Sequence, residues 1–135
     1  MNYMKLLKDH NLKATPQRLT IVEQLCQHGH MNIDDIYRAL QKKFPSISLA
    51  TIYKNINAMT EIAFLSEVKI PTKKSVYEIT KEEHSHVVCT ECNKVIDVEL
   101  ETQQLIEEAQ KKSGFTLCKS SIVFDGICNE CKDNK

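Results

Sequence analysis

Apolar residues recur at helical spacing through the front half of the chain. Ile33, Ile36, Tyr37, Leu40 and Phe44 fall at i, i+3, i+4, i+7 and i+11, which is one helical stripe. Asn32 precedes the stripe as an N-cap, and Pro45 stops it. Upstream, Thr15 followed by Pro16 predicts a capped helix running to about Cys26, with Cys26 on its core-facing side. Downstream, Ser48 caps another segment whose inward positions are Leu49, Ile52, Ile56 and Met59. A short helix from about Tyr3 to His10 precedes them all.

After the last of these helices the period shortens. Leu65 to Ile70 and Ser75 to Ile79 are β-prone runs flanking Pro71-Thr72-Lys73-Lys74, a hairpin with a basic tip. Helices followed by such a hairpin have the order of a winged helix-turn-helix, assigned to residues 1–79. Thr80 to Glu83 is polar and reads as a hinge. Residues 84–135 then predict strands at His84–Val88 and Lys94–Glu99, and a helix at Glu101–Ser113 with Leu105, Ile106 and Ala109 inward. A strand at Thr116–Phe124 and a closing Cys turn complete the chain. The expected class is α+β: a winged-helix domain, then a smaller α/β domain.

Size makes a staple necessary. A chain of 135 residues split in two leaves each half short of core, so a metal or an oligomer interface is expected to assist. The formal net charge is zero, but residues 1–75 carry 11 Lys/Arg against 6 Asp/Glu, and residues 76–135 carry 7 against 12. A basic front suits nucleic acid, although on charge alone solvated helix faces are the favoured explanation. No apolar run approaches the roughly 20 residues that span a bilayer. The first residues alternate charged and apolar side chains, unlike a signal peptide, so a cytoplasmic protein with no membrane partner is expected.

The cysteines carry the strongest chemistry. Cys89-Thr-Glu-Cys92 and Cys128-Asn-Glu-Cys131 are two C-x-x-C turns, and four thiolates make a closed tetrahedral shell suited to Zn²⁺. The 35 residues between Cys92 and Cys128 exceed the spacing of a zinc ribbon, so the ion would tie the start of the domain to its end. The rival from another class is a thiol redox enzyme using one C-x-x-C pair, which would need a βαβ context that these turns lack. Cys26 and Cys118 match no motif. His84 and His86 share one face of a strand, with Asp97 nearby in sequence. Such N/O donors suit Fe²⁺, Mn²⁺ or Zn²⁺, while a lone H-x-H is equally compatible with two surface histidines. The helix opening at Ser48 offers Ser48, Thr51, Lys54 and Asn55 outward, with Tyr53 beside them: a candidate DNA-reading face that Lys73 and Lys74 of the hairpin tip would support.

Several of these segments together resemble the ferric uptake regulator family. They are Ala14-Thr-Pro-Gln-Arg18, His30 followed by Asp34-Asp-Ile-Tyr37, Pro45-x-Ile-Ser-Leu-Ala-Thr-Ile-Tyr-Lys-Asn55, His84-x-His86-x-x-Cys89-x-x-Cys92 and Cys128-x-x-Cys131. The resemblance spans nearly the whole chain. It implies a regulator rather than an enzyme, a dimerising C-terminal domain, and a homodimer on palindromic, AT-rich double-stranded DNA. It implies Cys89, Cys92, Cys128 and Cys131 as structural zinc ligands, and Arg18 among the DNA contacts. It also implies a regulatory Fe²⁺ or Mn²⁺ site between the domains, formed by His30, Glu78, His84, His86 and Asp97.

The branch within the family rests on fewer residues. Asp97 is similar to the peroxide-sensing members, in which iron-catalysed oxidation would fall on His30 and His84. Iron sensors often carry Glu at that position, and many have a further metal-binding His where this chain reads Lys119-Ser-Ser-Ile-Val-Phe-Asp125. Glu78 points the other way, toward iron or zinc uptake regulators. Peroxide sensing is the expected branch. Lys54 stands where Arg is common, Ala63-Phe64 replaces a usual Gly-Leu, and Asn93 replaces a usual Gly that Asn imitates by tolerating positive φ.

Overall fold

In a computed structural model describing residues 2–133, the chain forms two compact units, Met1–Lys81 and Glu82–Lys135. The first contains α1 (Tyr3–Asp9), α2 (Pro16–His28), β1 (Met31–Asn32), α3 (Ile33–Lys43), α4 (Leu49–Glu61), β2 (Leu65–Val68) and β3 (Val76–Ile79). The second contains β4 (Ser85–Cys89), β5 (Val95–Val98), α5 (Gln103–Ser113), β6 (Val123–Gly126) and α6 (Asn129–Asp133).

Local chemistry fixes the helix starts of the first unit. Thr15 Oγ1 accepts the N–H of Arg18 at 3.2 Å, Asn32 Oδ1 that of Asp35 at 2.9 Å, and Ser48 Oγ that of Thr51 at 3.1 Å. Each such cap stabilises its helix by about 1 kcal/mol. Ile21, Leu25, Ile36, Leu40, Ile52 and Ile56 meet in one fully buried core. Its sheet has the order β1-β3-β2, all antiparallel, with Met31 opposite Tyr77 and Leu65 opposite Ile79.

Helix α4 ends in a Schellman motif. The N–H of Phe64 bonds the carbonyl of Met59, and the N–H of Ala63 bonds that of Thr60, both at 2.9 Å. Ala63 therefore occupies the left-handed region at φ 62°, where its Cβ costs about 1–2 kcal/mol. Asn93, in the first Cys turn, has φ 66°, the conformation expected of a residue replacing Gly.

The second unit is a sheet of order β5-β4-β6, with β4–β5 antiparallel and β4–β6 parallel. Several expectations need correction. The predicted strand at 116–124 forms only from Val123, because β4 offers its parallel edge there and not earlier. The second Cys turn continues as the short helix α6. Leu105, Ile106 and Ala109 do not point into a core: no residue of α5 is buried, and Leu105 is 56% exposed. Leu49, at the first position of α4, is also exposed, as is Cys26 at the end of α2. Helical periodicity marks a face as apolar but does not say whether the same chain covers it. No helix of the described residues is long and apolar enough to cross a membrane.

Candidate metal centres and nucleic-acid face

The two Cys turns meet beside the edge of β4. The N–H of Thr90 bonds the carbonyl of Gly126 at 2.8 Å, and the N–H of Cys89 that of Lys94 at 2.9 Å, fixing both turns to one ladder. Backbone N–H groups of Cys92 and Cys128 point at Cys89 Sγ from 3.5 and 3.4 Å. Those donors pull the Cys89 thiol down to about 6, so it is a thiolate at neutral pH. Cys131 is pushed up to about 12, first because its thiol is hydrogen-bonded to Cys128.

The sulfurs approach one another across the turns as well as within them. Cys89 Sγ lies 3.8 Å from Cys131 Sγ, and Cys92 Sγ 3.9 Å from Cys128 Sγ. All four fall within 4.8 Å of one another. A tetrahedron with Zn–S bonds of about 2.3 Å has edges of roughly 3.8 Å, whereas a disulfide needs about 2.05 Å. The four thiols therefore fit Zn²⁺, and four sulfurs converging on one point are a metal shell rather than a single dithiol pair. Lys94 Nζ reaches Glu130 Oε1 at 3.3 Å, placing a cation beside the thiolates. That bridge between the turns had no signal in sequence, since its partners are 36 residues apart.

Nitrogen and oxygen donors assemble separately in each unit. In the first, Gly29 ends α2 at φ 78°, and His30 follows it onto the edge of β1. The Met31–Tyr77 register brings His30 beside Glu78 of β3, with Nε2 to Oε2 at 2.9 Å. Glu78 is only 3% exposed, a burial that a carboxylate tolerates when a partner compensates its charge. In the second, His86 of β4 lies opposite Asp97 of β5. His84 Nε2 and His86 Nε2 each stand 3.4 Å from Asp97 Oδ1, and the two rings meet edge to face at 4.5 Å. His84 Nδ1 donates to the carbonyl of Glu82 at 2.7 Å, which leaves Nε2 as the ligand atom of that tautomer.

The candidate DNA face is α4 with the β2–β3 turn. Thr51, Tyr53 and Lys54 are exposed, and Ser48 at the cap shares a 2.9 Å hydroxyl contact with Thr51. Lys73 and Lys74 sit in the exposed turn. Lys74 is ion-paired to Asp34 of α3, a partner 40 residues away that no sequence pattern indicated. Arg18 and Asn55 are half-buried and hydrogen-bonded to each other.

A helical unit with a basic-tipped hairpin, joined to a unit with four convergent thiols, has the make-up of a metal-dependent transcription regulator. The ferric uptake regulator family model matches residues 9–125. The peroxide-responsive repressor PerR of Staphylococcus epidermidis is 33% identical over 129 residues, covering 94% of this chain and 86% of that protein. Among solved structures, the peroxide stress regulator of Campylobacter jejuni is 39% identical with a TM-score of 0.70, over 97% of this chain and all of that one. The ferric uptake regulator of Vibrio cholerae is 29% identical with a TM-score of 0.75, over 94% of this chain and all of that one. The chain belongs to the ferric uptake regulator family and is a metal-dependent repressor of that family.

Proposed function

We propose that this repressor is a cytoplasmic homodimer that holds structural zinc on Cys89, Cys92, Cys128 and Cys131, binds Fe²⁺ or Mn²⁺ at a second site, and senses hydrogen peroxide when that second ion is iron. The second ion takes His30, Glu78, His84, His86 and Asp97 as ligands. One observation carries this: each unit already gathers its own share of the donors, His30 with Glu78 and His84 with His86 and Asp97, at 2.9–3.4 Å. Two partial ligand sets, neither able to fill an ion's shell, are what a shared ion requires. Binding one arrangement of the units more tightly than others is how such an ion would shift the equilibrium. Three nitrogens and two oxygens would suit Fe²⁺ or Mn²⁺, and iron held on them would supply the redox chemistry that peroxide sensing needs.

The homodimer is supported by apolar side chains on the second unit that its own fold leaves exposed, Ile96, Leu105, Phe115 and Phe124 among them. Pairing fixes the spacing of two α4 helices, which suits a palindrome whose half-sites are about one helical turn, or a multiple, apart. AT-rich duplex DNA is the proposed operator. On it, Ser48, Thr51 and Tyr53 face the bases, and Lys54, Lys73 and Lys74 the phosphates.

Peroxide oxidation of His30 or His84 inserts one oxygen atom into an imidazole C–H and releases water. The test loads zinc-replete protein with Fe²⁺ or Mn²⁺, adds peroxide and maps the peptides by mass spectrometry. One added oxygen at His30 or His84, with iron only, is expected. Intact histidines with oxidised Cys89 or Cys92 contradict it. Iron sensing without oxidation is the second reading, favoured by Glu78. It is recognised by unmodified histidines and unmodified cysteines together with iron-dependent DNA binding.

A further inference from the structure

Asn55 lies on the face of α4 proposed to meet DNA, yet its amide is occupied at both ends. Its Oδ1 accepts the Nε–H of Arg18 at 3.1 Å, and its Nδ2 donates to the carbonyl of Thr51, one turn earlier, at 3.0 Å. Reading adenine takes one Asn acceptor and one Asn donor together, side by side on the base edge. Each end keeps one further bonding position, but the two bonds, one of them to a guanidinium, fix the plane of the amide, so its orientation is set by the protein and not by a base edge.

Arg18 is held just as firmly. Its Nε goes to Asn55, its Nη1 reaches the carbonyl of Lys13 at 3.2 Å, and its backbone N–H is the one that Thr15 caps. The side chain thus joins three places: the loop before α2, the first turn of α2 and the middle of α4. Helix α4 otherwise packs mainly on β2 and α3. Arg18–Asn55 is a half-buried polar tie from α4 to α2, one turn along α4 from the exposed Thr51.

We infer that Arg18 and Asn55 are positioning residues, a brace that sets the angle of α4, and that Asn55 does not read a base. This rests on the DNA-binding reading given above. The guanidinium keeps Nη2 for a phosphate, so Arg18 can hold the brace and touch the DNA backbone at once. Base discrimination then falls to Ser48, Thr51 and Tyr53.

The test measures affinity of the zinc- and Mn²⁺-loaded dimer for an operator and for its single-base-pair variants, well below the unfolding temperature. Asn55→Ala is expected to weaken binding about three- to tenfold, by the same factor on every variant. In an Arg18→Gln background the same change is expected to cost less than about twofold, because the bond is already gone. A loss concentrated at one base pair, or an equal loss in both backgrounds, overturns the inference. If the wild-type chain bound no duplex, the DNA-binding reading itself would fail, and the brace would still be tested by hydrogen exchange. There, α4 amides around Asn55 are expected to exchange faster in both single variants, and unchanged exchange contradicts the brace.

Discussion

The two units solve the problem of small size in different ways. The first buries a continuous apolar core, with Ile21, Leu25, Ile36, Leu40 and Ile56 shielded from water. Among its described residues the second buries only Ser85, His86, Val88 and Cys89, and no residue of its long helix α5 is fully buried. One folds by hydrophobic burial within its own chain. The other relies on thiolates around an ion and on apolar surface that a second copy would cover.

Removing zinc should divide the units most sharply. Structural zinc contributes on the order of 10–16 kcal/mol to small cysteine sites. A strong chelator under reducing conditions, or Cys128→Ser, is expected to abolish amide protection across β4, β5 and β6 while α2, α3 and α4 keep theirs. Equal loss in both units would erase the distinction.

Substitutions at the two kinds of leucine come next. Leu40→Ala, in the first core, is expected to cost about 2–5 kcal/mol in urea unfolding. Leu105→Ala, on exposed α5, should cost less than about 0.5 kcal/mol in dilute monomer. It should weaken the dimer about tenfold by sedimentation, if α5 lies in the interface.

These contrasts mark where the sequence was legible. Thr15-Pro16, Asn32 and Ser48 announced their helices because a cap is local chemistry, complete within four residues. The Cys turns announced the zinc site because its ligand types and spacing are specific. The fate of α5 was not legible, since its stripe is apolar whether its own sheet or a second chain covers it. Cys26 failed for a related reason: one position on a helical wheel in the last turn of a helix does not fix burial. The pairing of Lys74 with Asp34 and of Arg18 with Asn55 depends on tertiary approach, which has no local signature.

A smaller effect separates the thiols by pH. Cys89 is depressed to about 6 by the N–H groups of Cys92 and Cys128. A group depressed in the folded state adds stability above its ordinary pKa and loses it as pH falls through the folded value. Zinc competition measured against pH should therefore steepen by about one proton below about 6. A constant slope from pH 8 to 5 would show that the N–H groups do not hold the thiolate.

The smallest effect lies at the end of α4. Ala63→Gly relieves a left-handed alanine at φ 62° and is expected to stabilise the first unit by about 0.5–1 kcal/mol, leaving zinc content unchanged. Destabilisation would mean that the Schellman turn is not formed in solution.

The proposed signal is tested most directly by fixing zinc and varying the second metal alone. Operator binding by the zinc-loaded dimer is measured by fluorescence anisotropy with and without Mn²⁺, for the wild type and for His86→Ala. Mn²⁺ should tighten wild-type binding by roughly 5- to 150-fold, the usual range of coupling between two sites, and leave His86→Ala unmoved at full zinc content. Wild-type affinity that ignores Mn²⁺, or a His86→Ala variant that still responds to it, would contradict control by an ion held on these histidines and carboxylates.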